Sequence, residues 1–191
     1  MATTFDFGKG RVPAHKHPNG GGWVADTATV AETVTVGDKA RVYDYATIDG
    51  TVRVTSKARV CHQAVIYGSC SIRGNALVRG TARVFGHADI WGAANIDGNP
   101  RICGIAEISG NAVISGDAFI LQGWYFGNVQ VTKTPTVISN GIYQVVMTPD
   151  WVICGTLSLP IREWIKLRDS EILKQAGPLY KILINYLEEF I

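Results

Sequence analysis

The 191-residue chain lacks most of the features that announce a function directly. No apolar run reaches the roughly 18–20 residues needed to cross a bilayer, and the opening MATTFDFGKGRVPAHKHPNGGG has no apolar centre of the kind a secretory leader carries. A soluble, cytoplasmic protein with no membrane partner is expected. The four cysteines, Cys61, Cys70, Cys103 and Cys154, form no CxxC pair and no Cys/His ligand spacing, which reads as reduced thiols packing like small hydrophobes. Histidine is equally scarce. His15 and His17 in HKH would give a metal only two ligands on a Pro/Gly-rich arm, too few for a stable site, so no metal is expected. A net charge of +2 is too small to suggest nucleic-acid binding.

What the chain does have is a six-residue repeat. From Val24 the sequence divides without insertion into 17 hexads, VADTAT VAETVT VGDKAR VYDYAT and onward to ISGDAF ILQGWY, each beginning with Val or Ile. The fifth residue is Ala in 12 of them, the departures being Val34, Val52, Cys70, Pro100 and Trp124, and the third is Gly in 10. A period of six fits no α-helix, whereas β-branched residues, two-residue alternation and regular glycines specify short strands joined by corners. The first and fifth side chains should point inward, the second and sixth outward, and the third and fourth should turn the corner. Gly, Asp and His at the third position suit an unusual backbone angle there.

This pattern resembles the hexapeptide-repeat superfamily, the left-handed parallel β-helices, over Val24 to about Tyr125. With its GGGWV entry the chain resembles in particular uncharacterised hexapeptide-repeat proteins of enteric bacteria and their phages, often labelled acyltransferases. The resemblance implies three hexads per triangular coil, so that residues 18 apart stack about 4.8 Å from one another. Seventeen hexads then give nearly six coils. It also implies a homotrimer with ligands held in grooves between copies.

The expected organisation is therefore mainly β: an N-terminal arm over 1–22, the β-helix over 23–125, a β-meander over 126–157 and two α-helices over 158–191. In the meander, Asn140 and Gly141 make one turn and TPDW a second. The first helix should start near Pro160 and stop at Gly177. The second, PLYKILINYLEEFI, carries Leu179, Ile182, Leu183, Tyr186, Leu187 and Phe190 on one face.

Stacking turns the linear sequence into walls, and on the walls charge becomes concentrated. Between Lys39 and Arg83 stand eight basic residues, Lys39, Arg41, Arg53, Lys57, Arg59, Arg73, Arg79 and Arg83, opposed in that stretch only by Asp44 and Asp49. Guanidinium groups fork onto phosphate oxygens while aromatic rings offer a stacking face. Arg41, Tyr43, Arg59, Tyr67, Arg73, Arg79, Arg83, Phe85, His87 and Trp91 are accordingly the candidate residues for binding a small anionic, nucleotide-derived ligand. A phage protein that sequesters a host nucleotide signal is one concrete form of this expectation.

An acyltransferase is the alternative. Acetyl-CoA or another acyl-CoA would be the cofactor, with His87 or His62 as the base taking a proton from the acceptor. Superfamily acyltransferases interrupt the hexads with a protruding loop, and these hexads have none. His62 stands at a third-position corner and His87 at a fourth, so each is read first as a corner residue. A structural or protein-interaction module, docking through the C-terminal helices, is the remaining alternative.

Overall fold

A computed structural model describes residues 3–139, 144–148, 150–154 and 157–167. Residues 23–131 wind into a parallel β-solenoid whose walls are three parallel sheets. The first wall stacks Trp23–Ala25, Arg41–Val42, Arg59–Val60, Leu77–Val78, Asn95–Ile96, Val113–Ile114 and Gln130–Val131. The second runs from Thr29–Val30 to Phe119–Ile120 and the third from Thr35–Val36 to Trp124–Tyr125, six strands each. Ladder partners lie 18 residues apart, as in Arg41↔Arg59 and Val65↔Arg83. The expected hexad geometry holds: first-position residues such as Ile48, Ile66 and Val84, and the fifth-position alanines Ala46, Ala64 and Ala82, are all fully buried.

The corners continue the hydrogen-bond ladder, so few backbone groups are left over. Ser69 N–H donates to the Gly86 carbonyl and His87 N–H to that of Gly104, each at 2.8 Å. From Asp44 to Gly116 the third-position residues take positive φ, +79° at Gly86, where an added Cβ would meet the Gly104 backbone nitrogen at 2.9 Å. Three other residue types share this conformation: Asp44 (60°), Ser56 (59°) and His62 (59°).

One expectation fails at the top of the solenoid. Trp124 does not point inward; it is 53% exposed, and the inward residue is Tyr125, fully buried. The register explains this, because Glu107 pairs with Trp124 and Ile108 with Tyr125, a step of 17 residues rather than 18. The last side of that coil is one residue short. Gly123 takes the inward position, where a Cβ would press on the Tyr125 ring at 3.0 Å. The Tyr125 hydroxyl donates to the Gln122 carbonyl at 3.2 Å, and the stack runs on to Gln130–Val131.

Both ends of the solenoid are covered. At the start, Thr4–Asp6 and Arg11–Lys16 form a hairpin that pairs antiparallel with Trp23–Ala25. At the other end, four antiparallel strands, Thr136–Ser139, Gln144–Met147, Trp151–Cys154 and Leu157–Pro160, form the meander, and its Val146 and Ile153 join the solenoid core. A helix follows at Ile161–Leu167, anchored by buried Trp164, whose indole N–H donates to the Val152 carbonyl at 2.8 Å. The Asn140–Gly141 turn, the remainder of the expected first helix and the whole second helix lie outside the described residues.

Candidate functional site

The strongest concentration of unpaired charge lies low on the first wall, at its junction with the third. Arg41 and Arg59 are ladder neighbours on that wall. Lys39 and Lys57 occupy the fourth position of the corners leading into them, also 18 residues apart. Together with Phe5, Trp23, Asp38, Ala40 and Asn75 these four cations line a cleft of about 510 Å³. Among the described residues, none of the four forms an ion pair. Unit charges held about 5 Å apart repel by roughly 0.8 kcal/mol even in water, so an arriving anion relieves a standing cost.

The aromatic side of the cleft is built by the N-terminal hairpin. Phe5 stacks on Trp23 with ring centroids 4.6 Å apart; Phe7 stacks on Tyr43 at 5.0 Å outside the cleft, lining a separate cavity of about 290 Å³. The Arg41 guanidinium lies 5.2 Å from the Phe5 ring centre and the Lys16 ammonium 5.6 Å from that of Trp23. These rings are held by one another and by cations, which fixes Arg41 in place.

The other candidate residues fall into separate settings. Arg73 and Arg79 are not free cations: Arg73 pairs with Asp89 at 2.7 Å and Arg79 with Asp97 at 2.9 Å. Both acids come from the coil above, outside the Lys39–Arg83 stretch, so the local basic excess is smaller than the linear count suggests. The Asp89 hydrogen bond pushes the Arg73 pKa up, and the same guanidinium lies 5.0 Å from the centre of the Trp91 ring. Arg83 is exposed on the second wall beside Arg101. There Tyr67 and Phe85 stack nearly parallel at 5.0 Å. His87 stands exposed on the next corner, and among the described residues its ring has no hydrogen-bond partner.

His62 has a complete structural explanation. The Asp44 carboxylate accepts the His62 N–H at 3.2 Å, and His62 Nδ1 in turn accepts the Gly80 N–H at 3.4 Å. Each corner side chain caps the corner above it. Asp44, Cys61 and His62 place their ligand atoms within 4.8 Å of one another and are the described group that could hold a metal. Asp44 Oδ2 and His62 Nδ1 each already accept a backbone N–H, however, and burial pushes the Cys61 thiol up. Burial, then a hydrogen bond with Cys61, raises Tyr43 to about 12. A thiol held protonated is neither a good ligand nor a nucleophile. The HKH histidines take separate partners: His15 Nδ1 meets Asp26 at 2.8 Å, while His17 is buried against Asn19.

Four cleft residues, Phe5, Trp23, Lys39 and Lys57, are not singled out by the sequence as binding residues. The 18-residue column rule that pairs Arg41 with Arg59 also pairs Lys39 with Lys57. The FDF alternation places Phe5 and Phe7 on one face of a strand. Nothing in the linear pattern says which surface that face will cover. Compared with family models, with curated proteins and with solved structures, the chain matches none.

Proposed function

We propose that this protein is a non-catalytic binder of a small anionic, nucleotide-derived ligand, working as a homotrimer whose first-wall clefts open toward the grooves between copies. The observation that carries this reading is the cluster of Lys39, Arg41, Lys57 and Arg59, four cations in one cleft, none of them ion-paired among the described residues and outnumbering Asp38, the one acid in the cleft lining. A stacked wall holds these groups in fixed positions, which limits the ordering entropy that binding must overcome. Sequestration of a nucleotide signal is a role that needs nothing more than such a site.

The geometry offers less to an acyltransferase. His62 is a corner cap whose Nε2 lies 3.9 Å from the Asp44 carboxylate, beyond hydrogen-bond distance, and among the described residues His87 has no carboxylate to orient it, whereas a general base is normally positioned by a third group. Native mass spectrometry of the protein after incubation with a nucleotide extract tests the two readings together. An unchanged nucleotide should be retained by the wild type and lost from the Arg41→Ala/Arg59→Ala variant. Turnover of acetyl-CoA that disappears in His87→Ala would overturn the binder.

A further inference from the structure

Resting on that reading, we infer that the cleft selects a diphosphate: two linked phosphoryl groups along the prism axis, in preference to any single phosphate. The four cations form a two-by-two grid. One edge is set by the coil repeat, because Arg41 and Arg59 are direct partners in a parallel ladder, about 4.8 Å apart at the backbone. The coil repeat also separates Lys39 from Lys57, whose N–H donates to the Gly74 carbonyl one coil above. The other edge is the step from the corner to the wall, two residues along the chain, with buried Ala40 between Lys39 and Arg41. A single phosphate has too few oxygens to engage all four cations of this grid at once. A diphosphate places one phosphoryl group on Lys39 and Arg41 and the other on Lys57 and Arg59.

Two further features support a ligand read by charge along this axis. Phe5 already contacts Trp23 and Arg41, so recognition in the cleft does not depend on inserting a ring between its aromatics. The grid also ends abruptly. The next corner upward carries Asn75 in place of a third lysine, and the next wall position carries Leu77, which limits the charged column to two rungs. Upward of Arg59 a longer linear polyanion gains no further cation on this column; downward, Trp23 stands in the arginine position, with the Lys16 ammonium over its ring.

Isothermal titration calorimetry of the full chain, at fixed pH and ionic strength, tests the inference with inorganic pyrophosphate, orthophosphate and citrate. Pyrophosphate should bind at least tenfold more tightly than either of the others. That advantage should shrink at least tenfold in Lys57→Ala and in Arg59→Ala, which remove the upper rung from exposed positions, and persist in Lys133→Ala. Orthophosphate or citrate binding as tightly as pyrophosphate would overturn the diphosphate assignment while leaving an anion site in place. Binding of all three anions that is indifferent to Arg41→Ala and Arg59→Ala would overturn both the assignment and the function on which it rests.

Discussion

His62 shows how a single residue can look like chemistry and serve the backbone. Its φ of 59° is a conformation that side chains with a Cβ adopt at a cost, and its ring caps the Gly80 N–H. A corner residue and a catalytic base respond differently to glycine. His62→Gly removes the cap but also the left-handed strain, and should leave stability within about 0.5 kcal/mol of wild type. His62→Ala keeps the strain without the cap and should cost roughly 1–2 kcal/mol. Urea denaturation of both variants, with anion binding measured alongside, checks this; equal losses in the two variants would refute the corner account. The corner role was legible in the sequence, because His62 shares its column with Asp44 and Gly80. The loss of Arg73 and Arg79 as free cations was not. Their partners Asp89 and Asp97 are neighbours only once coils are stacked.

At the level of elements, periodicity carried the solenoid as far as periodicity held. Val24 to Phe119 could be read directly, since every hexad repeats the same inward pair. The short side ending at Trp124 could not, because two adjacent aromatics offer no alternation by which to detect a missing residue. Only the pairing of Ile108 with Tyr125 resolves it. The N-terminal hairpin is the other element hidden in the sequence, where two strands of three and six residues read as an arm. Structurally it blocks the open edge of Trp23–Ala25, the kind of edge that templates association. Deleting residues 1–16 should therefore produce concentration-dependent aggregation by light scattering. Phe5→Ala, which leaves the backbone pairing intact, should lower stability by about 2 kcal/mol without aggregation. A truncated chain that remains monodisperse would show that the hairpin serves only the cleft.

The whole molecule presents two contrasting surfaces. The first wall carries the cleft, while the upper second wall and the corner beyond it expose apolar residues: Ile105 at 67%, Leu121 at 57% and Phe119 at 43%. Exposed apolar groups gathered in one region mark interaction surfaces more often than scattered ones do. Were the proposed trimer to pack through this region, the cleft on the first wall would stay open to ligand. Phe119 is the ladder neighbour of Arg101, so a carboxylate placed at 119 has a cation beside it in the isolated chain. Inside an interface the same carboxylate would have to be desolvated. Phe119→Glu/Leu121→Glu should thus yield a folded species of 20.7 kDa, whereas the wild type should sediment at three times that mass. Analytical ultracentrifugation with circular dichroism separates the outcomes. A wild type that stays at the mass of one chain at every concentration would remove the trimer, and a double variant that remains trimeric would move the interface to another wall.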